Sequence, residues 1–184
     1  MFKKFTREES VTALNQAKSS VARAIKTKIA EQFPYLEDNG ILDQLMPKKM
    51  PIYVAKCAGH IGLVVVDNQP LFFNNRDGVY FPTLRLLMRY PLMMPRLRVD
   101  RGAIKFVLSG ANIMCPGLTS EGATMHNELG EGAPVAIYAE GKEHGLALGM
   151  TAMSTADMRD TNKGVGVETL HYLNDGLWKI THVE

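Results

Sequence analysis

Between Thr6 and Phe33 the apolar residues Val11, Leu14, Val21, Ile25, Ile29 and Phe33 recur mostly at steps of three, four or seven, with Lys and Arg between them. That spacing puts side chains on one face of a helix. Thr6 followed three residues later by Glu9 has the pattern of a capping box. The pattern predicts an amphipathic helix that ends at Phe33-Pro34 and is basic on one side through Lys18, Arg23, Lys26 and Lys28. After a turn at Asp38-Asn39-Gly40, "ILDQLMP" supplies one or two further helical turns, stopped by Pro47. From Pro51 to Tyr80 the pattern changes. β-Branched and aromatic runs ("PIYVAKC", "HIGLVVV", "PLFFNN", "GVYF") are separated by turn residues, which predicts an antiparallel meander. Pro82 then suits the first turn of a helix over "PTLRLLMRY", with Leu84, Leu87 and Met88 facing inward and Arg85 and Arg89 sharing the other side.

Pro91 and Pro95 restrict the backbone where that helix ends. They mark a domain boundary near residues 91–95, dividing the chain into 1–92 and 93–184. The second part opens on a strand, "RLRV", and then on "VDRGAIKFVLSGANIMCPGL". In that stretch Asp100 is an N-cap and Gly110 a C-terminal stop, bracketing a helix over about Arg101 to Ser109, followed by a short strand that ends at Pro116-Gly117. The apolar arc of that helix spans about 200°, wider than the stripe a helix needs to cover one core. Phe106 lies at the edge of the arc, so it either meets a partner or seals the seam between the two parts. Arg101 and Lys105 form a small basic edge opposite. Strands over "PVAIYAEG" and "HGLALGMTAM", a helix capped by Ser154 with Asp157 three residues on, and a hairpin around Asn174-Asp175-Gly176 complete the expectation.

Composition narrows the class. With 184 residues, 46% of them apolar and 22% charged, the chain has the make-up of a globular protein rather than a disordered one. The start "MFKKFTREES" has no apolar stretch of the signal-peptide kind behind its lysines, and no run approaches a membrane span. Two cysteines, Cys57 and Cys115, make no disulfide framework, so the expected setting is the cytoplasm, with both thiols reduced. The net charge of +2 conceals an imbalance: residues through Phe106 sum to +8 and the remainder to −6. A basic front favours an anionic partner such as RNA, although solvated surface charge explains it too.

"GAIKFVLSGANIMCPGL" resembles the signature of the PUA domain, a small RNA-binding β pseudo-barrel. With "MFKKF", "EQFP", "MPKK", "FPTLRLL", "NKGVGVE" and "HYLNDGLWK", the chain resembles, over nearly its whole length, the malignant T-cell amplified sequence family. The resemblance implies an α+β protein: an N-terminal α/β pre-PUA domain with an antiparallel meander, then a C-terminal PUA-type pseudo-barrel. Departures from the pattern fall in loops, at Asp38-Asn39-Gly40 and in the acidic "EGATMHNELGEGAP". The resemblance further implies a translation factor without cofactor. Paired with a density-regulated-protein-like subunit, it binds the small ribosomal subunit, promotes reinitiation and releases tRNA during recycling. Phe106 matches the family's partner-contact aromatic.

On this reading Lys48, Lys49, Arg85, Arg89, Arg96, Arg98, Arg101 and Lys105 neutralise phosphates of rRNA without reading bases. Gly110, Ala111 and Gly117 would allow RNA, such as a tRNA acceptor end, close approach to the backbone, or they serve only as turn and cap residues. Other readings have less behind them. Cys57-Ala-Gly-His60 has ligand-like spacing, but a zinc site needs about four ligands and no second pair accompanies it. Cys115 has no paired His indicated by motif and reads as a buried apolar residue. His171 reads as a strand or core histidine with a satisfied partner. An RNA-modifying enzyme or its subunit would have to fit a catalytic domain into about 90 residues that carry no phosphate loop or nucleophile elbow. A protein-interaction adaptor with an RNA-inert PUA fold finds its main support in the acidic second half.

Overall fold

In the computed structural model, which describes residues 1–184, the N-terminal pattern forms three elements rather than one helix. Thr6 does cap a helix, its hydroxyl accepting from the Glu9 N–H, but α1 (Arg7–Ser10) lasts a single turn. The chain then extends as β1 (Val11–Gln16), and the long helix α2 (Ser19–Gln32) begins only after Lys18. Val11 and Leu14 fit a helical period, yet "VTALNQ" also offers β-branched residues and a free edge on which to pair. Ladder bonds to the neighbouring strand, with Thr12 Oγ1 donating to the Lys56 carbonyl at 2.9 Å, outweigh the local preference. Pro34, expected to end the helix, starts another in α3 (Pro34–Asp38), where a missing N–H costs nothing. Gly40, at φ 67°, then turns the chain into α4 (Ile41–Leu45).

The expected meander follows: β2 (Ile52–Cys57), β3 (Ile61–Val66), β4 (Gln69–Asn75) and the short β5 (Phe81–Pro82), joined in the order β1-β2-β3-β4-β5 with every pair antiparallel. Pro82 therefore closes a strand instead of opening a helix. Thr83 caps α5 (Leu84–Arg89), whose buried residues are Leu84, Leu86 and Leu87, while Met88 is half-buried.

The second half is a six-stranded sheet that curls into a half-barrel. Its strands are β6 (Arg96–Val99), β7 (Ile113–Met114), β8 (Thr124–Met125), β9 (Pro134–Ala139), β10 (Ala147–Thr151) and β11 (Val165–Tyr172), in the order β7-β11-β10-β9-β6-β8. β6 and β9 run parallel; the other pairs are antiparallel. The expected helix over 101–109 is shorter, a 3-10 turn at Arg101–Ala103 leading into α6 (Ile104–Val107). Pro116 and Gly117 do not end a strand but open the short α7 (Pro116–Thr119). Ser154 caps α8 (Thr155–Thr161) as expected. No hairpin forms at Asn174-Asp175-Gly176. Asp175 accepts from the Trp178 N–H and starts α9 (Gly176–Lys179), because an aspartate before "GLWK" offers a cap where a second strand would offer only a turn.

After α9 the chain crosses back. The core of the first half takes in Tyr138, Leu148, Leu177, Ile180 and Val183 from the second. Arg7 donates from Nε to the Val183 carbonyl at 2.7 Å, and Asn68 Oδ1 accepts from the N–H groups of Val183 and Glu184. Between the halves His171 is wholly buried. Its Nδ1 lies 2.7 Å from Asp175 Oδ2, and its Nε2 accepts from the Leu84 N–H at 3.1 Å. The rings of Phe2 and Phe73 pack edge-on against it.

Candidate functional site

The stretch 100–118 builds an open groove. Asp100 Oδ1 accepts from the Ala103 N–H at 2.9 Å and its Oδ2 from the Ser120 hydroxyl, while its own N–H donates to the Gly117 carbonyl at 3.1 Å. One aspartate thus ties the start of the helical turn to the end of α7. Gly110 closes α6 at φ 84°, a left-handed conformation that favours glycine, and sends the chain back toward β7. The resulting concavity of about 730 Å³ has Phe106 and Val107 on one wall, Met114, Pro116 and Gly117 on the other, and Val165 contributed by β11. That volume is within the usual range of ligand clefts. Phe106 is 56% exposed and Met114 49%, and the Lys105 ammonium stands 5.0 Å from the centre of the Phe106 ring. Of the alternatives for Phe106, sealing the seam is therefore not the one adopted; the ring faces solvent.

The residues proposed from sequence are sorted by this geometry. Phe106, Ala111 and Gly117 share the groove. Gly110 does not line it: a Cβ there would fall 2.7 Å from the Tyr172 ring, so this glycine is required by packing as well as by its backbone. A Cβ on Gly117 would meet only Ala103 Cβ at 3.6 Å, an ordinary contact. The basic side chains fall into separate places. Lys48 and Lys49 line a cleft with Arg23 and Lys26, where a hydrogen bond from Lys26 holds the Asp43 carboxyl below its usual range. Arg85 and Arg89 border another with His182. Arg85 is committed inside the protein, donating from Nε and Nη2 to the Trp178 carbonyl at 3.2 and 2.9 Å, with its guanidinium 4.1 Å over the indole. Arg98 likewise donates to the Gly122 carbonyl and the Thr124 hydroxyl at 3.1 and 2.8 Å. Arg101 is exposed, and its N–H donates to Glu140 at 3.2 Å.

Both cysteines are buried, and burial pushes the Cys57 thiol up to about 11. No three His, Cys, Asp or Glu side chains converge as metal ligands, and no helix is long and apolar enough to cross a membrane. Met114 and Val165 were missed by sequence reasoning. Their part in the groove depends on β7 pairing with β11, some fifty residues away, with Val165 opposite Met114. No local signal in "NIMC" marks Met114 as exposed, because only the pairing with β11 decides which way it faces.

This architecture, a five-stranded meander under helices followed by a curled sheet carrying a groove, is that of a pre-PUA domain joined to a PUA domain. Residues 5–91 match the family model described as "Pre-PUA-like domain" and residues 94–176 the one described as "elF2D, PUA domain". The fold is similar to a conserved PUA domain protein from Thermoplasma acidophilum, with a TM-score of 0.64 at 18% identity over 91% of this chain and 98% of that one. It is also similar to a hypothetical protein from Pyrococcus horikoshii, with a TM-score of 0.71 at 24% identity over 92% and 99%. Among curated proteins the chain is 51% identical to human "Malignant T-cell-amplified sequence 2" over 97% of each chain. It is 50% identical to the Dictyostelium discoideum "Malignant T-cell-amplified sequence 1 homolog" over the full length of both. The chain belongs to the malignant T-cell-amplified sequence family.

Proposed function

We propose that the protein is a non-catalytic, cytoplasmic RNA- and ribosome-binding translation factor. With a density-regulated-protein-like partner it binds the small ribosomal subunit and promotes reinitiation and tRNA release during recycling. The observation that carries this reading is the groove on the PUA half: open, apolar, rimmed by Lys105, and offering Phe106 and Met114 to solvent. Large exposed apolar residues in a concavity mark a binding surface, and its lining offers no constellation for chemistry. Phosphate contacts then come from exposed lysines and arginines on the basic front, above all Lys48 and Lys49.

A second assignment of Phe106 has specific support. It lines the same concavity as Ala111 and Gly117, which supports a role as a stacking platform for an unstacked RNA end beside that of an anchor for a protein. One experiment separates the two: Phe106→Asp is assayed for heterodimer formation and, independently, for binding of a tRNA acceptor-end oligonucleotide. Loss of the dimer alone supports the partner role, and loss of the oligonucleotide alone supports stacking. Retention of both removes Phe106 from the proposal. Reversing Lys48 and Lys49 to Glu should lower co-sedimentation with small subunits and flatten its salt dependence. These are better probes than Arg85, whose reversal would also break its bonds to Trp178.

A further inference from the structure

On the first half, far in sequence from the groove, α2 lies over the sheet and leaves a second cleft of about 570 Å³, walled by Val21 and Ile25 of the helix and by Val54 and Val64 of the strands. Its floor is a cross-strand row in which Gly62 of β3 stands between Lys56 of β2 and Asn74 of β4. Gly62 leaves a notch in the row, and the Asn74 carboxamide occupies it, so closely that a Cβ on Gly62 would overlap Oδ1. Asn74 is 92% buried, yet its carboxamide is hydrogen-bonded to no protein group and faces the cleft. Its polar atoms are not sealed from solvent, so water satisfies them in the free protein and a ligand entering the cleft can take the place of that water.

The rim is formed by two tight turns of the meander. His60, Arg76 and Asp77 adopt φ of 61°, 51° and 57°, and the loops that carry them are tied together by the Arg76 N–H donating to the His60 carbonyl at 3.0 Å. Left-handed residues are what tight hairpin turns favour, and these two turns bring His60, Arg76 and Asp77 together at one end of the cleft. Lys56, Arg76 and His60 stand there, with Lys28 further along α2, against the single carboxylate of Asp77. The Cys57 thiol beside them stays protonated, so the cleft holds no nucleophile.

We propose that this cleft binds an adenosine 5′-phosphate unit, with the base between α2 and the sheet, its edge on the Asn74 carboxamide and its phosphate on Lys56 and Arg76. Apolar walls suit a flat base. A carboxamide pairs in two bonds with adenine, accepting from the exocyclic amine and donating to the ring nitrogen beside it. The cationic rim selects an anionic ligand. The unit comes either from a free nucleotide or from an unstacked adenosine in an RNA strand. The inference does not depend on the groove of the PUA half, and variants of Phe106 leave it untouched.

The test is a titration of the full chain, labelled with ¹⁵N, against adenosine 5′-monophosphate, cytidine 5′-monophosphate and a short single-stranded oligonucleotide with one adenosine among uridines. The expected result is a shift of the Asn74 side-chain amide with the adenosine probes, cytidine 5′-monophosphate binding about tenfold more weakly, and Asn74→Leu reducing adenosine affinity about tenfold. A response to the mononucleotide assigns the free ligand; a response to the oligonucleotide alone assigns the strand. Lys56→Glu, at an exposed strand position, carries the test if Asn74→Leu folds poorly, and it should weaken binding and its salt dependence. An Asn74 amide unmoved by every probe, or unchanged affinity in the folded variants, overturns the proposal.

Discussion

The seam between the two halves and the groove beside it obey opposite rules. At the seam two polar side chains are buried among apolar ones: His171 is fully buried and Asp175 nearly so, and each is paired, to each other, to the Leu84 N–H and to the N–H groups of Tyr172 and Trp178. In the groove the exposed groups are apolar, Phe106 and Met114. A buried polar group persists only when its partners are complete, and so reports architecture. An exposed large apolar group in a concavity reports something that arrives later. The two regions are linked through Tyr172, which is buried, follows His171 in β11 and packs against Gly110, the residue that closes the helix carrying Phe106.

The sharpest way to break this contrast is Asp175→Ala. It strips His171 of its carboxylate and leaves two N–H groups without acceptors, so the expected loss is about 3–5 kcal/mol, the cost of removing one partner from a buried pair. At this chain length that is a fall in Tm of about 8–15 °C, followed by circular dichroism. Because the seam bonds join both halves, the melt should remain a single transition. A split melt, with the second half surviving, would show that the halves hold themselves up separately.

Next in size comes a pair of glycines. Gly110→Ala combines a left-handed backbone with a collision against Tyr172 and should cost about 1–3 kcal/mol. Gly117→Ala adds one methyl in ordinary contact with Ala103 and should stay within about 0.5 kcal/mol of the parent. If Gly117→Leu then keeps the Tm but loses RNA or partner, that glycine serves the groove. If it keeps both, the glycine is only part of the turn. Binding and thermal melts of the same three proteins settle which.

That pair also marks how much was legible in the sequence. The meander, the caps at Thr6, Asp100 and Ser154, and the stop at Gly110 depend on residues within a few positions of each other, so local pattern was enough. The strand β1 was not legible, because its apolar spacing fits a helix and only the distant β2 edge decides otherwise. The end of the chain was misjudged for the same reason: α9 packs on Phe2 and Phe5, at the opposite terminus, and the Gly176 N–H donates to the Phe2 carbonyl. Phe106 could be singled out because the surplus width of its own helix face is a local property. Its neighbours Met114 and Val165 meet only through strand pairing.

The smallest expected effect concerns the reach of a ligand beyond the groove. Partial desolvation by its neighbours and the nearby charges of Arg96 and Arg98 lower the pKa of His126 below its usual value. The folded state therefore prefers the neutral imidazole. The stability this gives is present above pH about 6.5, the ordinary histidine value, and is lost as pH falls through the lower folded value. His126 is exposed, so the effect on Tm between pH 7.5 and 5.5 should be slight and should disappear in His126→Gln. Its sign becomes informative when RNA is added. A phosphate seated between Arg96 and Arg98 would offset the two cations, and the His126 resonance would then titrate at higher pH in the complex than in the free protein. An unchanged titration would confine the ligand to the concavity between Phe106 and Gly117 and leave Arg96 and Arg98 as surface charge, with Arg98 holding the β8 loop through Gly122 and Thr124.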